Sequence, residues 1–304
     1  MDILRIKNVS KCFGTTQVIN GISLDVTKGT VFGFIGANGA GKTTTMKMIL
    51  GLLNLDGGEI YICDEKVRFG MTNTNRHVGY LPDVPEFYNY MHPKEYMNLC
   101  GQIAGLSDSV IKSRSLKLLE LVGLCNINKK IGGFSRGMKQ RLGVAQALIN
   151  EPKLLICDEP TSALDPIGRK EILDILKQIS GTTTVLFSTH ILSDVERICD
   201  RAAILHGGKI VLEGTLAELK SRHKSNGLRI EFISKEDNIR FCEKMPVELL
   251  QRKECSETEL ILRVQDVVSA ERTSLHIMSQ NDILPSRIEI LEPCIENLFL
   301  EAVQ

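Results

Sequence analysis

Apolar residues recur along this chain with two different periods. In the segment GISLDV, Ile22, Leu24 and Val26 alternate with polar neighbours, the two-residue repeat of a half-buried strand. VFGFIG (31–36) is instead continuously apolar and stops at a glycine, as a strand covered on both faces does. From about Pro93 to Asn150 the spacing turns mostly helical. KLLICDEP and TTVLFSTH are two further short apolar runs and predict buried strands. After the first of these, Asp165 is placed to cap a helix and Pro166 suits its first turn. Ile172, Ile175, Leu176 and Ile179 then form one helical face. Strands alternating with helices predict an α/β fold with a largely parallel sheet, preceded by a β-rich N-terminal part.

Beyond this core, AAILHGGKIVLEG reads as a hairpin turning at Gly207 and Gly208. Thr215 and Glu218 have the spacing of a capping box, so a short helix starts there. The polar stretch KSRHKSNG, residues 220 to 227, marks a domain boundary, which divides the chain into 1–220 and 221–304. The remainder reads strand (Leu228–Ile233), helix, strand (Glu259–Val264), helix, strand (Ser286–Leu291), helix. That order suits a small α+β domain of ferredoxin-like type.

Composition narrows the class. With 304 residues, 43% hydrophobic, the chain is long enough for two unequal cores. Lys plus Arg equal Asp plus Glu at 37 each, a balance that argues against a dedicated nucleic-acid binder. The nine cysteines are scattered, without metal-type or redox-type spacing, and read as reduced thiols of a cytosolic protein. The N-terminus MDILRIKNVSKCFG has an early acid and no apolar core, unlike a signal peptide. No segment approaches the roughly 20 apolar residues of a membrane span, so any membrane role passes through a partner.

The chemistry is concentrated in FIGANGAGKTTTMKMI. Gly36, Gly41, Lys42 and Thr43 fit G-x-x-x-x-G-K-[ST] between a strand and a helix, the context of a phosphate-binding loop. Through Gly36, Ala37, Asn38, Gly39, Ala40 and Gly41, backbone N–H groups can ring a phosphate chain without side-chain obstruction. The helix opening at Lys42, Thr43 and Thr44 adds unpaired N–H groups and a positive dipole end. Lys42 brings a mobile positive charge and Thr43 a hydroxyl for Mg²⁺. Downstream, Asp158 and Glu159 end an apolar strand. Asp158 suits magnesium, and Glu159 suits orienting and deprotonating a water.

Three further segments carry a family resemblance. FSRGMKQRLGVAQALI resembles the signature segment of ATP-binding cassette (ABC) ATPases, TSALD their D-loop and STH their switch histidine. The match covers residues 1 to about 220. It implies a nucleotide-binding core, a helical subdomain and an N-terminal antiparallel sheet. It also implies a head-to-tail homodimer that holds two ATP molecules. By the same resemblance Phe13 would stack on adenine with Val18 nearby, a contact suited to a base's π face. Ser135 and Gly137 would present a helix N-terminus to the γ-phosphate bound by the other subunit. Asp165 would couple the two sites, and His190 would contact the γ-phosphate.

Two segments depart from the family pattern. Arg136 and Met138 replace a glycine and a glutamine of the signature, while Ser135 and Gly137 remain. Asp83 stands where glutamine is common; it is a metal-proximal candidate or simply a turn aspartate between two prolines. Phe87, Tyr88, Tyr90 and Met91 crowd just after it, either bordering a groove for a membrane partner or packing locally. The expectation is the ATP-hydrolysing subunit of an ABC transporter, of the branch that pairs with a separate exporter permease. It would work with ATP and Mg²⁺, without nucleic acid, on the inner face of the cell membrane. The tail EPCIENLFL resembles the closing helix of such subunits. The competing expectation is a non-transport ABC ATPase acting on a ribosome or a nucleic-acid complex.

Overall fold

The computed structural model describes residues 1–70, 73–222, 226–251, 253–264, 266–291 and 298. The chain forms two compact units, Met1–Leu216 and Ala217–Ala302.

The first unit opens with long strands β1 (Asp2–Phe13) and β2 (Thr16–Thr27). In β2 the alternation places Ile22, Leu24 and Val26 inside, each at most 3% exposed. Strand β3 (Val31–Ile35) is buried along its whole length and runs into helix α1 (Lys42–Ile49). Strands β4 (Gly57–Ile62) and β5 (Glu65–Lys66) complete an antiparallel sheet of order β2-β1-β4-β5. After β6 (Val78–Leu81) come helices α2 (Pro93–Ile103), α3 (Asp108–Leu121) and α4 (Arg136–Leu148). Next are β7 (Leu154–Asp158), α5 (Pro166–Ile179), β8 (Thr184–Thr189), α6 (Leu192–Ile198) and the hairpin β9 (Arg201–His206) with β10 (Lys209–Thr215).

These strands form a sheet of order β10-β9-β3-β8-β7-β6, parallel except for the β9–β10 hairpin at its edge. Strands β7 and β8 are fully buried, as continuous apolar runs require of a sheet covered on both faces. Gly79 in β6 admits helix α4 at close range: a Cβ there would lie 2.2 Å from the Ala147 carbonyl oxygen. On α5 the expected face of Ile172, Ile175, Leu176 and Ile179 is buried, and Leu173 joins it.

Helix α7 (Leu216–Arg222) leads into the second unit. It contains β11 (Asn226–Phe232), α8 (Lys235–Lys244), α9 (Val247–Leu250), β12 (Lys253–Cys255), β13 (Glu259–Val264), α10 (Val267–Asn281) and β14 (Pro285–Leu291). The sheet order β12-β13-β11-β14, with every neighbour antiparallel, is that of a split βαβ, ferredoxin-like sheet. Strand β12 is absent from the sequence-based reading because its three residues are all exposed and carry no apolar alternation. Leu228, Ile230, Phe232, Leu260 and Leu262 pack with Phe241 of α8 and Met278 of α10. Arg229, Glu259, Glu289 and Arg263 alternate with them along the strands. Arg229 pairs with Glu259 at 2.7 Å and Arg263 with Glu254 at 3.0 Å. The expected closing helix lies outside the described residues except for Leu298, which is buried.

Candidate functional site

The site sits where parallel strands end. Register pairs Ile35 of β3 with Thr189 of β8, and Ser188 of β8 with Asp158 of β7. Polar groups after three buried strands therefore meet at the carboxyl ends of the strands, the usual place for a ligand in an open α/β fold. A cleft of about 520 Å³ opens there. Val18, Asn38, Gly39, Gly41, Lys42, Thr43, Thr44, Asp83, Glu159 and His190 line it, and so does Ser162.

The loop from Gly36 to Gly41 has the shape its glycines permit. Gly39 and Gly41 have φ of +81° and +106°. A Cβ on Gly41 would lie 2.4 Å from Ile19 Cδ1. A side chain is thus excluded by backbone conformation and by space together. Lys42 is buried and donates from Nζ to the carbonyl oxygens of Gly36 (2.7 Å) and Ala37 (3.1 Å). The same ammonium lies 3.0 Å from Glu159 Oε1. Glu159 Oε2 is 2.7 Å from His190 Nδ1. An ionised carboxylate only accepts, so the proton of that bond belongs on Nδ1.

Glu159 is held by its backbone as well. Its φ of +48° is left-handed, costly for a residue with a Cβ. Its N–H donates to Ser188 Oγ at 3.0 Å, and that hydroxyl donates to Asp158 Oδ1 at 2.6 Å. One buried serine therefore orients both acids. Nearby, burial and then the charge of Asp158 push the Tyr80 hydroxyl up to about 12.

The Thr43 hydroxyl and the Asp83 and Glu159 carboxylates line the cleft; Asp158, 3% exposed, lies just behind the lining, bonded to Ser188. Among the described residues no three His, Cys, Asp or Glu side chains converge into a metal cage. This sparse, hard-oxygen set suits Mg²⁺, which keeps waters and substrate phosphates among its ligands. Asp83 Oδ1 accepts from the Ser162 hydroxyl and faces Arg136 Nη2 at 3.5 Å. The Asp83 backbone carbonyl accepts from Gln140 Nε2 at 2.6 Å. Gln140, fully buried on α4, thereby ties the signature helix to the segment carrying Asp83.

Not every expected residue reaches this cleft. Ser135, Gly137 and Asp165 line a separate cleft of about 290 Å³, together with Arg136, Met138 and Gly168. Ser135 caps α4, its Oγ accepting from Met138 N–H at 3.3 Å. Asp165 caps α5 by accepting from Gly168 N–H at 3.3 Å. Arg136 bridges the two clefts, with Nη2 also 3.3 Å from Ser162 Oγ. Phe13 is half exposed at the end of β1, with the Lys11 ammonium 5.5 Å from its ring centre. In the aromatic cluster, Phe87 packs edge-on against Tyr96 at 5.1 Å, whereas Tyr88 and Tyr90 are exposed.

Ser188, Gln140 and Asp194 were not singled out from sequence. Asp194 is buried; it accepts from Thr161 Oγ1 at 2.7 Å and from Arg169 Nε at 2.5 Å, fixing the TSALD loop against α5 and α6. Ser188 stands in the STH segment, two positions before the cleft residue His190. The other two carry no local signal.

Residues 19–162 match the family model described as ABC transporter. The chain is 36% identical over 303 residues to the ABC transporter ATP-binding protein YxlF of Bacillus subtilis (strain 168), covering 99% of each. It is 33% identical over 308 residues to the bacitracin transport ATP-binding protein BcrA of Bacillus licheniformis, covering 99% of this chain and 97% of that one. The lantibiotic transport ATP-binding protein SrtF of Streptococcus pyogenes is 40% identical over 213 residues, 69% of this chain and 90% of SrtF. A solved structure titled as the ATP-binding subunit of an ABC transporter superposes with a TM-score of 0.66 at 32% identity, covering 72% of this chain and 92% of its own.

Proposed function

The chain belongs to the ATP-binding subunits of ABC transporters, and from that membership we propose how its residues divide the work and what it assembles with. As such a subunit it binds and hydrolyses ATP to drive transport through a membrane permease. No helix among the described residues is long and apolar enough to cross a membrane. We place the chain on the cytoplasmic face, held there by the permease.

The observation that carries the assignment of roles is Glu159, held between Lys42 and His190 at the strand ends. Glu159 is the general base for the attacking water. Lys42 moves from its carbonyl partners to the β- and γ-phosphates, which outcompete neutral acceptors for its charge. His190 keeps the Glu159 carboxylate aimed and reaches the γ-phosphate. Thr43 and Asp158 hold Mg²⁺, with Asp83 beside them. When bound, Mg²⁺ offsets negative charge on the β- and γ-phosphates. Phe13 and Val18 receive the adenine.

The second cleft, at the N-terminus of α4, suits the γ-phosphate of a nucleotide held by a partner copy. Ser135, Gly137 and Asp165 lie apart from their own chain's phosphate loop and share one wall. We therefore assign them to ATP held by the other subunit of a homodimer. ATP binding closes that dimer, and hydrolysis opens it. The exposed Tyr88 and Tyr90 suit contact with the permease. Relatives named for bacitracin and lantibiotic transport support peptide antibiotics as the exported cargo. The balanced charge supports a partner set without nucleic acid.

The test is to extract the Glu159→Gln protein in mild detergent with ATP and identify what co-purifies. A polytopic membrane protein at comparable abundance, with the cassette itself as a dimer, is the expected result. Ribosomes or nucleic acid in its place would overturn the transport reading.

A further inference from the structure

Far apart in sequence terms from any recognised motif, two cysteines of the second unit share one buried amide. Cys242 lies near the end of α8, and Cys255 ends the edge strand β12. Asn238, 2% exposed and one helical turn before Cys242, sits between them. Its Oδ1 accepts from Cys242 Sγ at 3.6 Å, and its Nδ2 donates to Cys255 Sγ at 3.5 Å. Two further bonds from Nδ2, to the carbonyls of Ser256 (2.9 Å) and Glu257 (3.2 Å), fix the amide in that orientation. The two sulfurs thus lie on the two heads of one amide group. Lys235, Ile239 and Lys253 join these three residues around a pocket of about 370 Å³.

The two thiols differ in access. Cys255 is exposed, and its thiol also meets the Ser256 carbonyl at 3.4 Å. Cys242 is half-buried, and burial, then its neighbour Cys255, push its thiol above the ordinary cysteine range. An oxidant therefore meets Cys255 first, and Cys242 waits beside it as a thiol.

We propose that Cys242 and Cys255 form a peroxide-responsive thiol pair that closes into a reversible disulfide. Cys255 attacks hydrogen peroxide: its sulfur gains one oxygen as a sulfenic acid, the O–O bond breaks, and one water leaves. Cys242 then attacks that sulfur, the S–OH bond breaks, an S–S bond forms and a second water leaves. Two thiols are oxidised and one peroxide is reduced to two waters. A dithiol such as dithiothreitol reverses the step by exchange. The bond ties β12, which among the described residues pairs on one side only, to α8.

The experiment treats the full-length protein with hydrogen peroxide, alkylates remaining thiols under denaturing conditions and maps the peptides by mass. The expected product joins the Cys242 and Cys255 peptides, lighter by two hydrogens than the reduced pair, and disappears with dithiothreitol. In Cys242→Ser, dimedone should trap a sulfenic acid at Cys255; in Cys255→Ser, the unit should give neither product. As a readout independent of variants, phenylarsine oxide, which bridges only adjacent thiols, should protect both cysteines of the reduced wild-type protein from alkylation. Independent alkylation of Cys242 and Cys255 after both treatments, or oxidation confined to the exposed Cys12, would overturn the proposal.

Discussion

In the first unit, Lys42, Asp158 and Asp194 are charged side chains at 5%, 3% and 1% exposure. In the second, Arg229, Glu259, Arg263 and Glu254 lie along an open sheet face, each between 22% and 62% exposed. Sheet type accounts for the contrast. The parallel sheet has helices or the same unit's antiparallel sheet over its faces, so its polar groups collect at the strand ends. The antiparallel sheet covers one face only, and its other face can spread opposite charges in water. A buried charge without its partner is expensive, so each one in the first unit is committed to specific bonds; an exposed pair is nearly free to remove. Chemistry follows the first pattern because a low-dielectric cleft amplifies each charge.

The sharpest way to break this comparison is at the cleft. Glu159→Gln should lower ATP turnover by on the order of 10²–10⁴, the contribution of a positioned general base, while nucleotide binding persists. Phosphate release and equilibrium binding measured side by side check this; wild-type turnover would remove Glu159 from that role. Next in size is an apolar change in the second unit. Phe241→Ala should cost about 3–5 kcal/mol in denaturant unfolding, because a fully buried ring leaves a cavity. That unit's stability thus rests on its apolar layer.

The two charge classes can then be set against each other. Asp194→Ala leaves Arg169 and Thr161 without their shared acceptor and should destabilise the chain by about 2–3 kcal/mol, at the low end for a broken buried pair because Arg169 is part exposed. Arg229→Ala on the open face should cost less than about 1 kcal/mol and progressively less as salt is added. Equal costs for these two variants would contradict the role given to burial.

Much of the architecture was legible beforehand. The buried runs at β3, β7 and β8, the Asp165 cap and the Gly207–Gly208 turn are all local effects of side chains on their own backbone. The phosphate loop belongs with them, since glycines, turn and helix start lie within a few residues. Strand β12 was missed because it is short and exposed, and gains its place only by pairing with β13. The cysteines looked unpaired in sequence, yet α8 and β12 bring two of them onto one asparagine.

The sequence by itself determined which segments could bury apolar faces, where the chain had to turn, and which residue types would stand at the turn after β3. It did not determine who stands beside whom. Strand β8 lies between β3 and β7 although it follows both in the chain, and that insertion lets Ser188 hold Asp158 and Glu159 together. The Lys42–Glu159 pair, the Gln140 bond to Asp83 and the Asp194 anchor of Thr161 are of the same kind. Each joins distant segments through crossover order and strand register. Those are set by the packing of whole faces, which no single stretch of sequence encodes.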